Sequence, residues 1–251
     1  LGCSFDYWRN GTDSPEYRRI TQATFIELYR RGLVYEAERP VNWCPRCRTT
    51  LADAELEHKE VRGYLYYIRF TVKEDGRELV IATTRPELLR ACKAVIYHPD
   101  DDRYRGLEGL HAVVPLYNHI VPIKTHREVD PRFGTGLVMV CSYGDQADIK
   151  MFRELGLEPI VIIDRDGRLK EEAGPIAGLS VEEARKKIAG ILEEKGLIVK
   201  KEELVHSIPV CWRCKTPVQF IHTREWFLKQ LDLKDELRKL VLEKIEFKPL
   251  M

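Results

Sequence analysis

Tyr64-Leu-Tyr-Tyr-Ile-Arg-Phe-Thr-Val72, an Asp75-Gly76 turn and Glu78-Leu-Val-Ile-Ala-Thr83 decide the fold. Both runs are rich in aromatic and β-branched residues, which suit a pleated, half-buried surface. Asp-Gly supplies the backbone freedom of a tight hairpin turn. Outward from this hairpin, further strands are expected at 93–97, 112–116, 119–124, 137–142 and 159–163, separated by short polar or Gly/Pro/Asn turns. Strands this short and this evenly spaced suggest a barrel-like or strongly curved sheet. Two helices interrupt them. One begins near Asp145 and runs to about Leu155. The other opens with the capping box Ser180-Val-Glu-Glu183 and carries Val181, Ala184, Ile188, Ile191 and Leu192 on one face before Gly196. The fold class is therefore α+β, a barrel-like sheet with peripheral helices.

The flanks read differently. Ser14 is a natural N-cap, with Pro15 at the first helical position and Glu16 in the first turn. Phe25, Leu28 and Tyr29 form an apolar stripe, and Arg30 and Arg31 precede Gly32 at the C′ position. The chain closes with a charged amphipathic helix from Leu233 to about Ile245. Three regions follow: 1–60, a flank with a helix; 61–200, the sheet domain; and 201–251, a second flank.

Composition is ordinary for a globular chain: 251 residues, 44% hydrophobic, 32% charged and a net charge of +1. No apolar run approaches the ~20 residues that span a bilayer, so no membrane partner is expected. The start, Leu1-Gly-Cys-Ser-Phe-Asp6, lacks a basic region followed by an apolar one. Beginning on Leu1, it reads as a segment of a longer chain. A net charge near zero argues against wholesale polyanion binding. Contact with RNA would come from local patches, Arg185-Lys186-Lys187 or Lys195 to Lys201, unless these are simply solvated faces. Seven cysteines without a secretory signal point to a reducing, cytoplasmic setting in which thiols serve metals or packing.

Four of the seven form two matched pairs, Cys44-Pro-Arg-Cys47 and Cys211-Trp-Arg-Cys214. Each spacing lets two thiolates of one tight turn share a metal. Two such turns make a closed tetrahedral shell of four cysteines, suited to structural Zn2+. Residues 48–210 lie between the pairs. A whole domain is thus expected to be inserted between the halves of one zinc knuckle, with the metal clamping its entry and exit. Cys3, Cys92 and Cys141 lack partners at ligand spacing and read as buried thiols.

Two polar segments look out of place in a purely structural sheet. Thr83-Thr84-Arg85-Pro86-Glu87 puts two hydroxyls and a fixed cation at a strand end. It reads either as a polar binding run or as a strand closing in a turn. In Gly134-Thr-Gly-Leu-Val-Met-Val-Cys-Ser-Tyr-Gly-Asp145-Gln-Ala-Asp148 a strand enters a helix whose first turn carries two carboxylates. Both suit a helix start, which also keeps carboxylates ionised, so the pair serves equally as a cap or as a grip on an ammonium group. The seven histidines are scattered and show no metal pairing. Hydrolysis here would use a positioned water.

These segments resemble class I aminoacyl-tRNA synthetases of the valyl, isoleucyl and leucyl group. The order of Asn42-Trp-Cys-Pro-Arg-Cys47, Ala52-Asp-Ala-Glu55, Thr83-Thr-Arg-Pro-Glu87, His98-Pro-Asp-Asp, Asp130-Pro-Arg-Phe-Gly-Thr-Gly136, Gly144-Asp-Gln-Ala-Asp148 and Cys211-Trp-Arg-Cys-Lys-Thr-Pro217 carries the likeness across essentially the whole chain. His98-Pro-Asp-Asp-Asp-Arg-Tyr104 and the opening Leu1–Asp6 stretch are most similar to archaeal-type valyl enzymes. Leucyl enzymes share Thr-Thr-Arg-Pro-Glu; isoleucyl ones usually carry Thr-Thr-Thr-Pro-Trp.

The resemblance implies a barrel-like editing domain that hydrolyses mischarged tRNA, in valyl enzymes chiefly threonyl-tRNA for valine. It implies that Asp148 binds the α-amino group. Thr83, Thr84 and Arg85 line the pocket around the amino acid and terminal adenosine, with Asp148 and Thr84 as the catalytic residues. Asp145, with Met139 and Cys141 nearby, helps read the threonine hydroxyl. Bacterial valyl enzymes have lysine, threonine and histidine where this chain has Met139, Cys141 and Gly144. The implied partners are the aminoacylated tRNA 3′ end and the rest of a monomeric parent synthetase. The ATP-site motifs of the family are missing from this chain. Alternatives are a leucyl- or isoleucyl-type editing domain, a hydrolytically inactive zinc-clamped tRNA-binding insertion, and a structural spacer.

Overall fold

The computed structural model describes residue 12 and residues 14–245, so the Leu1–Asp6 motif and Cys3 lie outside the described residues. The chain forms two compact units, residues 1–39 with 223–251, and residues 40–222. The boundaries fall within strands β1 (Val34–Cys44) and β10 (Gln219–Leu228).

In the smaller unit, α1 (Pro15–Arg30) starts where the sequence places it. Ser14 Oγ accepts the Tyr17 amide at 3.2 Å, and Gly32 takes φ +69° just past the end. The stripe of Phe25, Leu28 and Tyr29 does not form a buried seam, for α1 buries none of its residues. Phe25 and Tyr29 instead meet Trp226 edge-on, with ring centroids 5.3 and 6.0 Å apart. The closing helix, α4, spans Lys234–Lys244 and is likewise exposed.

The larger unit is a mixed α+β structure around a curled, half-barrel sheet. At its base the end of β1 pairs with the short β2 (Thr49–Leu51), Cys44 opposite Thr49, across the first cysteine turn. The strands of the curled sheet are β3 (Leu56–Val72), β4 (Glu78–Thr83), β5 (Cys92–Tyr97), β6 (His111–Val113), β7 (Ile120–Thr125), β8 (Leu137–Cys141) and β9 (Ile198–Cys211). The order is β4-β3-β6-β7-β5-β8, with β9 also paired to β3. The expected β3–β4 hairpin forms, with Tyr66 opposite Thr83 and Thr71 opposite Glu78, and Gly76 in the turn at φ +76°. At the far end of the sheet, β8 returns to β4. Gly134, at φ +59°, lies so close to Ala82 that a Cβ there would sit 2.4 Å from the alanine methyl. The curl thus brings the end of β4 against the start of β8.

The interior explains the curl. Ile68, Phe70, Ile81, Leu88, Ile123 and Leu137 fill the concave side, capped by α3 (Val181–Glu194) through Ala184, Ile188 and Leu192. Ile188 and Leu192, fully buried, contribute roughly 1.5–3 kcal/mol each. Ser180 and Glu183 form the capping box that starts this helix. Behind the sheet, α2 (Gln146–Leu155) packs Met151 and Phe152 against Ala94, Ile96 and Val140. β5 is therefore covered on both faces, which accounts for its nearly continuous apolar run.

Three expectations are corrected. Residues 159–163 form no strand; only Ile163 makes a bridge, to Leu169. Pro159 has no amide to donate, the Ile160 amide is taken by Ser142 Oγ at 2.8 Å, and the run is apolar because Ile162 and Ile163 enter the core. Strands β1, β2, β9 and β10 arise where none was expected. Arg185, read as part of a basic patch, instead pairs with buried Glu87, while Lys186, Lys200 and Lys201 make surface ion pairs with Glu182, Glu202 and Glu193.

Candidate functional site

Cys44 ends β1 and Cys211 ends β9, and the turns that follow are built alike. Arg48 and Lys215 occupy the left-handed region at φ +51° and +59°, and each donates its amide to the carbonyl of the first cysteine at 2.8 Å. Register between β3 and β9, with Leu56 opposite Cys211, helps bring the distant pairs to one place. The four sulfurs lie within 4.8 Å of one another, and among the described residues this is the group able to hold a metal ion. Tetrahedral zinc–thiolate bonds of about 2.3 Å place sulfurs about 3.8 Å apart, so the donor set and its spacing fit. Burial pushes the Cys44 thiol up to about 12. Burial also works against ionising Cys214, but hydrogen bonds from Thr216 and the neighbouring thiols outweigh it and hold that group at about 6. Cys92 and Cys141 are buried as expected, directly opposite one another on β5 and β8.

The second constellation forms where β4 meets the β8–α2 turn. Asp145, exposed, caps α2 by accepting the Asp148 amide at 2.8 Å. Asp148 is buried, with 9% of its surface exposed. Its Oδ1 accepts the Cys141 amide at 3.2 Å and its Oδ2 the Gly144 amide at 3.1 Å. Burial, followed by the nearby Asp145 charge, pushes the Asp148 carboxyl well above the usual carboxylate range, against the pull of both amides and of Arg85. Burial thus works against the charged form that the helix start favours.

Thr83 ends β4, and its Oγ1 accepts the Arg85 amide at 3.0 Å. Thr83 and Thr84 are half-buried. Arg85 joins the two segments, donating through Nη1 to the Gly144 carbonyl at 2.5 Å, through Nε to Glu87 at 3.0 Å and through Nη2 to Gln219 at 3.1 Å. Met139 and Cys141, on β8, point into the hydrophobic interior with 6% and 2% exposure. A cleft of about 490 Å³ opens on the Gly134 side, lined by Asp100, Asp101, Asp102, Arg103, Pro131 and Arg132. None of Thr83, Thr84 and Asp148 lines it.

The structure adds residues that sequence reasoning missed. Glu87 is fully buried, and Arg185 reaches it with Nε at 3.0 Å and Nη2 at 2.8 Å. Burial disfavours its charge, but Arg85 and Arg185 together hold its carboxyl below the usual range. Its signal is a lone carboxylate ahead of Leu88 and Leu89. Gly144 is required sterically: a Cβ there would lie 2.4 Å from Asp148 Oδ2. Tyr143 holds φ +61°, an uncommon conformation for a bulky residue, and its ring stacks on His222 with centroids 5.4 Å apart.

Comparison with known proteins bears on this geometry. The family model for class I tRNA synthetases (I, L, M and V) matches residues 1–251. The chain belongs to this family. It is 62% identical over 251 residues to a valine–tRNA ligase of Aeropyrum pernix, covering 100% of this chain and 30% of that protein. A valine–tRNA ligase of Pyrobaculum aerophilum is 58% identical over 248 residues, 99% of this chain and 31% of that protein. One of Nanoarchaeum equitans is 50% identical over 249 residues, 99% and 33%. The chain thus spans about a third of the length of the curated relatives it matches. The archaeal valyl likeness expected from the motifs holds across the whole synthetase segment.

Proposed function

We propose that this segment is the proofreading site of a valyl-type synthetase, hydrolysing the ester of threonyl-tRNA made in place of valyl-tRNA. The observation that carries the reading is the meeting of buried Asp148 with the Thr83–Arg85 run, joined through the Arg85 contact to Gly144. A carboxylate already deprived of water gains most when an ammonium arrives, so the free α-amine of an aminoacyl ester suits Asp148. The lone pairs of its oxygens left free by the two amides remain to accept that amine. The Thr84 hydroxyl holds a water against the ester carbonyl. Water adds to the carbonyl carbon, the bond to the ribose oxygen breaks, and that oxygen leaves with a proton as the tRNA hydroxyl. Asp145, at the exposed start of α2, shapes the side-chain end of the pocket, while Met139 and Cys141 belong to the hydrophobic interior behind it.

The chemical need is clear. An apolar pocket rejects an isostere that merely adds a hydroxyl by only about 10²-fold, a figure known from valyl enzymes themselves. In this reading residues 61–200 are the editing domain, and 1–60 and 201–251 are its flanks within a monomeric, cytoplasmic parent enzyme. Cys44, Cys47, Cys211 and Cys214 hold structural Zn2+, whose closed thiolate shell supplies no chemistry at the ester. No described helix is long and apolar enough to cross a membrane.

The test is a deacylation panel with threonyl-, valyl- and isoleucyl-tRNA, run on the intact synthetase and on its Asp148→Ala variant. Threonyl-tRNA should be hydrolysed and the variant should be inactive with unchanged metal content. If the intact enzyme spares threonyl-tRNA, or the variant deacylates normally, the reading fails.

A further inference from the structure

We propose that Arg185 and Gln219 are positioning residues of this site: through Arg85 they hold the Gly144 carbonyl, and with it the turn whose amides set Asp148. The consequence for catalysis rests on the proofreading reading; the mechanical claim does not.

The Arg85 guanidinium carries five donors in a rigid planar fork. Its three nitrogens are committed to three different elements: Glu87 in the turn after β4, Gly144 in the β8–α2 turn and Gln219 on β10. A side chain so engaged serves as a strut. What fixes the strut is the pair of acceptors at its two ends. Glu87 has no exposed surface, and its Oε1 is shared between Arg85 Nε and Arg185 Nη2. Arg185 also holds Oε2, so it sets the rotation of the carboxylate that Arg85 must meet. At the other end, Gln219 is buried with 7% exposure, beside Val218 in the cysteine-lined cluster. Its amide oxygen fixes the second edge of the same guanidinium.

The load is carried on by Gly144. Its carbonyl accepts from Arg85 and its amide donates to Asp148 Oδ2. No side chain fits between them, because the space a Cβ would take is filled by that oxygen. Displacing Arg85 therefore displaces a hydrogen bond to the carboxylate. The groups facing Asp148 are Asp145 on its own helix, Arg85 from the turn after β4, and the thiol of Cys141 on β8 with Cys92 across from it. A looser Gly144 amide leaves Asp148 with less support for its charged form.

The experiment uses the intact synthetase with Arg185→Met, Arg185→Lys, Gln219→Ala and, as reference, Asp148→Ala. Hydrogen exchange followed by mass spectrometry should speed up by at least about tenfold across residues 141–148 in R185M and Q219A, the equivalent of one lost hydrogen bond. Exchange in β7 should be unchanged. The acid limb of the deacylation profile should move up by about one pH unit in both variants. R185K, keeping the charge, should recover part of both effects. Unchanged exchange at 141–148, or equal acceleration in β7, would overturn the proposal by showing no link or only general destabilisation. If the wild-type enzyme deacylates nothing, the proofreading reading falls, and the exchange measurement still decides the strut. Q219A removes no charge and guards against an R185M variant that fails to fold.

Discussion

Adding one methyl group at Gly144 should disable the site. A Cβ there would stand 2.4 Å from Asp148 Oδ2 and 3.1 Å from Leu88 Cδ1, against an ordinary contact of about 3.4 Å or more. Leu88 is fully buried and has little room to retreat, so the carboxylate must move by about 1 Å. That movement breaks the 3.1 Å bond from the Gly144 amide. Overpacking costs about 1–3 kcal/mol and a lost hydrogen bond to a charged group about 1.5–3 kcal/mol. The expected sum is about 2.5–6 kcal/mol, and at about 2–4 °C per kcal/mol for a unit of this size Gly144→Ala should lower the unfolding transition of this unit by at least about 5 °C. Gly144 is absent from the positive-φ residues, so backbone strain plays no part. The assay is thermal unfolding of the intact enzyme beside threonyl-tRNA deacylation, with aminoacylation as the control. A variant that melts within about 1 °C of wild type, well inside the shift expected, and deacylates normally would refute the reasoning.

Further outcomes follow from the same contacts. Because the folded Asp148 carboxyl is held above its unfolded value, the native state binds more protons between those two values. Its contribution to stability is therefore present at low pH and lost as pH rises through the folded value, and Asp148→Asn should flatten that slope in denaturant titrations across pH. Glu87→Gln leaves Arg85 and Arg185 without their buried counter-charge and should cost about 3–5 kcal/mol, read from the urea midpoint. The purified protein should carry one zinc per chain by elemental analysis. Cys211→Ser should lose it and chelation should lower the melting temperature; a metal-free wild type that melts normally would remove zinc from the account.

How much can be read from the sequence depends on how far each signal reaches along the chain. The β3–β4 hairpin, the Ser14, Asp145 and Ser180 caps and the two cysteine turns are each decided within about four residues by local chemistry, and all are in the structure. β9 is illegible because Lys200, Lys201, Glu202 and Glu203 lie in it and much of its length is exposed. Its conformation comes from pairing with β3 over residues 56–68, not from its own apolar content. The run 159–163 misleads in the opposite sense, since burial makes a segment apolar whether or not it pairs.

The site divides along the same line. Thr83, Thr84, Arg85, Asp145 and Asp148 are legible as types of residue in the right order, but Arg85 reads as a cation offered to a ligand. Its acceptors at Gly144 and Gln219 lie 59 and 134 residues away, and nothing local to Arg85 announces them. Arg185 misleads for the same reason: next to Lys186 and Lys187 it looks like one of a solvated patch, and only its separation of 98 residues from Glu87 closes in space. Charges whose partners are near in sequence announce their role as caps and surface pairs. A charge with no local partner has either water or a distant, buried counter-ion to satisfy it. Burying it alone would cost more than the fold can supply. Glu87, flanked by Pro86 and Leu88 and bound to enter the core with them, had to be met by cations from elsewhere. That requirement ties helix α3 to the turn beside Asp148, so the element that caps the hydrophobic interior also fixes the chemistry at its rim.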